Sequence, residues 1–189
     1  MIALDEDMVG SDNYTVIAQG LKVCLGLFCK LNNGVLLGAH FTPATSLGGM
    51  NLIMGHIRNN SGGNIAWLGM VAKFDRWAYA VSGLNSKEKL AAYFRTQLRY
   101  PGTMHYADLQ MAPSSYDVRC TTGITPQLSW RATPNPNNFV NTPLATVLQL
   151  THRDSQLSPT NGAHPGAIHN VPANTAGFCM IHDVIRTIT

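Results

Sequence analysis

Two apolar runs joined by a tight turn stand out in the first quarter of the chain. Residues 23–31 are apolar apart from Lys30, residues 35–41 are apolar around His40, and Leu31-Asn32-Asn33-Gly34 lies between them. Asn-Gly between such runs predicts a β-hairpin, because both central residues of a type I′ turn need positive φ. The expected strands cover 21–30 and 35–42. With Asn33-Gly34 as the turn, Phe28 faces Ala39, Leu27 faces His40, and Cys24 lies one residue beyond the level of Thr42. An ideal ladder in that register leaves the Cys24 sulfur several ångströms from the His40 ring. A bulge at Gly26, or a helix beginning at Cys24, is then needed to bring them together.

The same pattern reading extends along the chain. Residues 14–23 are rich in β-formers and predict a strand entering the hairpin. After Pro43, Leu47, Met50, Ile53/Met54 and Ile57 recur at helical spacing, with Ser46 placed to cap the helix N-terminus. Asn59–Asn64 reads as a loop. Ile65–Phe74 reads as a buried strand and Trp77–Ser82 as a second strand or its continuation. Asn85-Ser86-Lys87-Glu88 resembles a capping box, and Leu90, Ala91, Phe94 and Leu98 follow in an amphipathic pattern. A helix over 86–99, ended by Pro101-Gly102, follows. Short strands are expected at 104–111, 115–122 and 126–132, and later ones at 144–150 and 178–188. Residues 133–143 read as a loop or linker, and 153–175 as polar and irregular.

Strands outnumber helices, and helices fall between strands. The expected fold class is α/β: a β-sandwich-like, mixed but mostly antiparallel sheet system with two or so flanking helices. One domain over 1–189 is expected, its core at about 14–130 and a polar C-terminal elaboration at about 131–189.

Composition narrows the function classes. The 189 residues are 45% hydrophobic, enough for a sizeable core, and no apolar run approaches the ~20 residues of a membrane helix. Met1 to Ser11 carries Asp5, Glu6 and Asp7 and no basic segment, so no signal peptide is expected. Charged residues make up 12%, against about 25% in average domains, and the net charge of +3 comes without a Lys/Arg block. Neither a nucleic-acid nor a membrane partner is expected. The four cysteines, Cys24, Cys29, Cys120 and Cys179, are separated by 4, 90 and 58 residues, which fits no zinc template. Cys179 with His182, and His164 with His169, are lone pairs. No metal and no cofactor is expected.

The candidate chemistry is nucleophilic. Cys24 lies on an apolar segment that begins Gly20-Leu21-Lys22-Val23, and His40 lies on the facing one. A thiol near pKa 8.5 becomes a useful nucleophile only when a base or a positive environment yields the thiolate. The apolar flanks of His40 keep its ring partly buried, neutral and able to accept a proton. Thr42, two residues on and on the same strand face, and Gln19, with its amide, are candidates to orient the ring or hold an oxyanion. Cys29 has no comparable context and reads as core. His56, His105, His152, His164, His169 and His182 lie in polar or loop settings, with His152 the best alternative base. Trp67, Trp77 and Trp130 read as core anchors.

Gly20-Leu21-x-x-Cys24, the turn, and Gly38-Ala39-His40 followed by Pro43 resemble the chemoreceptor glutamine deamidase CheD. The catalytic domain of cytotoxic necrotizing factor and the Burkholderia lethal factor share that arrangement. The likeness covers about the first two-thirds of the chain, with its specific motifs at 20–43. It implies Cys24 as nucleophile and His40 as base of a protein-glutamine deamidase, acting without cofactor on a protein bearing a reactive glutamine. It also implies a bacterial enzyme, cytoplasmic or delivered to a target cell as a toxin or effector. The family usually has Gly-Ser where this chain has Lys22-Val23, and a threonine where it has Ala18, so the resemblance assigns no third group. A cysteine peptidase or peptidoglycan amidase using the same pair, and a non-catalytic binding domain with Cys24 in its core, are the alternatives.

Overall fold

The computed structural model describes residues 1–77, 83–110 and 115–132, and strand segments at 140–141, 150–151, 168–170, 179–180 and 185–188. The elements run β1 (Ile2–Leu4), β2 (Met8–Asp12), β3 (Thr15–Leu21), β4 (Leu25–Leu31), β5 (Leu36–Phe41), α1 (Leu47–Ser61), β6 (Ile65–Ala72), α2 (Phe74–Trp77), α3 (Lys87–Leu98), β7 (Met104–Asp108), β8 (Tyr116–Thr121) and β9 (Gln127–Ala132). The segments beyond are β10 (Val140–Asn141), β11 (Leu150–Thr151), β12 (Ile168–Asn170), β13 (Cys179–Met180) and β14 (Ile185–Ile188).

The strands form two seven-stranded sheets, ordered β10-β12-β1-β3-β8-β9-β13 and β11-β2-β5-β4-β6-β7-β14. Only β1/β3 and β6/β7 pair in parallel among the described residues. The α/β class and the mostly antiparallel sandwich therefore stand. The chain alternates between sheets at its start: β1 and β3 belong to the first, β2, β4 and β5 to the second. Residues 2–12 are thus core strands, although the sequence reading began the core near residue 14.

Side-chain alternation explains the layering. On β4, Leu25, Leu27, Cys29 and Leu31 pack with Met50, Ile53, Met54 and Ile57 of α1 and Leu90, Ala91, Phe94 and Leu98 of α3. Cys24 and Phe28 point the other way and meet Leu4, Val16, Ala18, Tyr116 and Val118 of the first sheet. The order is sheet, sheet, helices. Each fully buried Leu, Ile or Phe in these interfaces contributes about 1.5–3 kcal/mol relative to exposure.

Both main helices start where an oxygen can catch a free amide. The Ser46 side chain accepts from Gly49 N–H, and the Ser86 side chain from Lys89 N–H. The second cap is Ser86, not Asn85, which instead accepts a bond from Lys89 Nζ at 2.8 Å. α1 runs on through Asn59, Asn60 and Ser61 and stops at Gly62, whose φ of 57° closes it. The expected loop at 59–64 is thus half helix. Trp77 ends α2 rather than starting a strand, and 78–82 lie outside the described residues.

The hairpin is present, with a different turn. Gly34 N–H donates to Leu31 O at 3.0 Å, and Leu31 N–H donates to Val35 O at 2.8 Å. Gly34 has φ of 90°. This is a three-residue loop, Asn32-Asn33-Gly34, rather than a two-residue Asn-Gly turn. The extra residue moves the register by one: Leu27 faces Ala39, Phe28 faces Gly38, and Gly26 faces His40.

Candidate active site

The shifted register brings Cys24 and His40 onto one face. Gly26 is opposite His40 and Leu25 opposite Phe41, so the next rung sets Cys24 at the level of Thr42. Cys24 and His40 become diagonal neighbours, a relationship that spans about 7–8 Å between backbones and less between side chains. There is no bulge at Gly26 and no helix at Cys24, and His40 Nε2 makes no hydrogen bond to the Cys24 sulfur. A Cβ at Gly26 would meet the Phe28 ring at 3.0 Å and Ala18 Cβ at 3.4 Å, so the site is closed tightly over the glycine.

His40 is fully buried between the sheets. Its Nδ1 lies 3.2 Å from the Leu4 carbonyl oxygen. A carbonyl only accepts, so Nδ1 carries the proton and Nε2 the lone pair. Nε2 is buried and has no hydrogen-bond partner. Burial lowers the ring's proton affinity, opposed by the Leu4 bond and by the charges of Glu6, Asp5 and Asp7. The result is a fixed, neutral imidazole with an open basic nitrogen.

Cys24 is 3% exposed. Burial pushes its thiol up to about 11, with Glu6 and Asp7 adding to the rise; the backbone N–H groups of Lys22 and Val23 pull it back down. Those amides aim at the sulfur, where negative charge would appear. At rest the pair is thiol and neutral imidazole.

The β1–β2 turn supplies the third side. Asp7 holds φ of 60°, a left-handed conformation that Asp tolerates better than most residues. Its buried carboxylate accepts from Thr42 N–H at 3.3 Å, from Thr42 Oγ1 at 3.4 Å and from Thr45 Oγ1. Thr42 is therefore committed to Asp7 and Thr45. The ring-orienting bond that Thr42 was expected to make is made by the Leu4 carbonyl.

Gln19 is not brought to this face. Its neighbour Ala18 points into the inter-sheet core, so alternation turns Gln19 to the far side of the first sheet, with Ile17. Both of its amide atoms are buried without a partner. On that side Gly20 N–H, at the bulge of β3, donates to Asp117 Oδ1 at 3.0 Å, and Arg131 Nε donates to Asp117 Oδ2 at 2.9 Å.

Cys29 and Cys120 are fully buried, and burial drives both thiols strongly upward. His105 stacks on Trp67 with centroids 5.2 Å apart. The alternative base His152, with His164 and His182, lies outside the described residues, as does the side chain of His169. No group of three metal-binding side chains occurs among the described residues, and no described helix is long and apolar enough to cross a membrane.

Sequence reasoning missed Leu4, Asp7 and Tyr116, the last close enough to Cys24 for the two to oppose each other's ionisation. Leu4 acts through its backbone, which carries no side-chain signal. Asp7 was read only as part of an acidic start. Comparison with protein-family models, curated proteins and solved structures finds no match for this chain.

Proposed function

We propose that the chain is a cysteine-dependent amidohydrolase acting on the side-chain amide of a protein glutamine. One observation carries the reading. His40, fixed through Nδ1 by the Leu4 carbonyl, keeps an unpartnered Nε2 on the face it shares diagonally with Cys24. A buried nitrogen lone pair left unbonded costs stability, and a proton-accepting role beside a thiol accounts for it.

The steps follow from those atoms. Nε2 takes the Sγ proton, and the thiolate attacks the carboxamide carbon. The Lys22 and Val23 amides, with the field of the 22–24 bend, offset the developing negative charge. His40 returns the proton to nitrogen, the C–N bond breaks, and ammonia leaves a thioester. Water, deprotonated at Nε2, attacks that carbon, and Sγ leaves with the proton to regenerate the thiol and a glutamate. The dyad calls on no metal or cofactor.

The near-complete burial of Cys24 and His40 favours a second reading, a binding domain with both residues in its core. Ammonia release from glutamine-bearing proteins, with a one-dalton gain on an intact partner, separates the two. A cleaved partner would instead identify a peptidase or amidase. A bacterial effector or toxin is the setting this reading suits.

A further inference from the structure

We propose that the C-terminal end of α3 is an anion site, where Arg95 and Arg99 hold the phosphoryl group of a small phosphate ester. It belongs to the helix layer, across the second sheet from the face of Cys24, and stands apart from the amidohydrolase reading. A depression of about 430 Å³ opens there, lined by Ala92, Arg95, Thr96 and Arg99 of α3 and its cap and by Tyr100 and Pro101 beyond them. That volume is within the roughly 300–1,000 Å³ usual for small-molecule sites. The spacing of 92, 95, 96 and 99 sets the first four on one helical face.

The backbone that shapes the depression is unusual at Arg99. Its φ of 53° and ψ of 38° are left-handed, at the position where a helix ordinarily ends on Gly or Asn. The turn carries the chain back at Tyr100 and Pro101: Arg99 N–H donates to Thr96 O at 3.2 Å, and Tyr100 N–H to Arg95 O at 2.9 Å. From α1, Arg58 Nη1 donates to Gln97 O at 3.3 Å. These carbonyls at the end of α3 are thus satisfied without the side chains of Arg95 and Arg99. A cation that only offset the helix dipole would require neither a left-handed backbone nor a second arginine. Strain held at a non-glycine residue points to a use for its side chain.

The lining offers donors and no anion. Arg95 Nη2 donates to Pro101 O at 3.4 Å, which ties the guanidinium to the turn, and its Nε–H is buried without an acceptor. An unmatched buried donor costs stability until an acceptor reaches it. No carboxylate pairs with Arg95 or Arg99 among the described residues, and the sequence has no Asp or Glu from 89 to 107. Tyr100 packs over Gly102, where a Cβ would lie 2.5 Å from its hydroxyl oxygen. Burial raises that hydroxyl's pKa, against the opposing charge of Arg95, so it stays protonated and can donate. Two guanidinium forks beside the Thr96 and Tyr100 hydroxyls suit the oxygens of a dianionic phosphoryl group better than a singly charged carboxylate. Ala92 and Pro101 give apolar surface to the organic part.

The test is isothermal titration calorimetry of the full chain with phenyl phosphate, benzoate and a phosphotyrosine peptide. Phenyl phosphate should bind with Kd on the order of 0.1–1 mM, and benzoate at least about tenfold more weakly. Arg95→Met and Arg99→Met should each weaken phenyl phosphate about tenfold. Arg99→Gly separates a ligand site from a structural role. It should lose affinity to the same extent, while its urea midpoint stays at or above that of wild type because glycine accepts the left-handed backbone. Affinity that survives both arginine replacements, benzoate binding as tight as phenyl phosphate, no binding up to about 10 mM, or a lower urea midpoint for Arg99→Gly overturns the assignment. Binding of the phosphotyrosine peptide alone would assign this face to a protein partner and overturn the small-ligand site.

Discussion

His40 Nδ1 and the Leu4 carbonyl oxygen, 3.2 Å apart, tie the two sheets together at a buried ring on the face that Cys24 shares. Leu4 is in β1 of the first sheet and His40 in β5 of the second. The bond fixes the tautomer and makes the packing of the sheets part of the site.

Cys24 and His40 should behave as a unit. Cys24→Ala and His40→Ala should each lower ammonia release by orders of magnitude, and the double variant should be little worse than either. Cys24→Ser should also be inactive and should cost roughly 1–3 kcal/mol if its hydroxyl finds no partner. Cys29→Ser should retain activity, because Cys29 points to the helices. Activity assays beside matched circular dichroism spectra check all five.

Stability should depend on pH in two windows. The proton affinity of His40 is lowered by folding, so the unfolded chain binds the extra proton first. Stability is then full above about pH 6.5 and falls as pH drops below it. His56 and His105 are lowered by burial and act in the same direction. Cys24 is raised to about 11, so stability should also fall as pH climbs from the ordinary thiol range toward 11, with Cys29 and Cys120 adding to the loss. Urea midpoints measured from pH 5 to 10 should peak between the windows. His40→Gln should flatten the acidic limb, and an unchanged limb would place its cause elsewhere.

Asp7 should be costly to replace. Asp7→Ala removes the acceptor shared by the Thr42 amide and the Thr42 and Thr45 hydroxyls, leaving only the bonds from Thr42 to Thr45, a loss of about 1–3 kcal/mol by chemical denaturation. Asp7→Asn keeps an acceptor and removes the charge, so the Cys24 alkylation midpoint should move down.

Two glycines test the packing. A Cβ at Gly38 would lie 2.5 Å from Val16 Cγ1 and 3.2 Å from Leu4 Cδ1, against the strand that holds His40. Gly38→Ala should cost about 1–3 kcal/mol and reduce activity with it. Gly26→Ala meets the Phe28 ring and Ala18 at 3.0 and 3.4 Å, so a smaller stability loss is expected. Thermal melts paired with activity measurements separate the two positions.

Much of the layering was legible in the sequence. The apolar periods at Met50, Ile53, Met54 and Ile57, and at Leu90, Phe94 and Leu98, mark the faces that the helices bury. The hairpin was legible too, but not its register. Asn32-Asn33-Gly34 suits a two-residue or a three-residue turn, and only the bonds at Leu31, Gly34 and Val35 decide between them. That single residue decides whether Cys24 shares a face with His40. The partners of the pair were hidden for other reasons. Leu4 contributes a carbonyl, while Tyr116 reaches the site from β8, far along the chain, where local pattern says nothing about which rung it occupies.

The most direct measurement is ammonia release from a glutamine-bearing peptide and from the proteins of a cell lysate, by wild type, Cys24→Ala and His40→Ala. Mass spectrometry of the product proteins accompanies each reaction. The expected result is ammonia with a one-dalton gain on intact proteins for wild type only. Equal release by Cys24→Ala, or none by folded wild type, would contradict the assignment of Cys24 and His40 as an amide-hydrolysing pair.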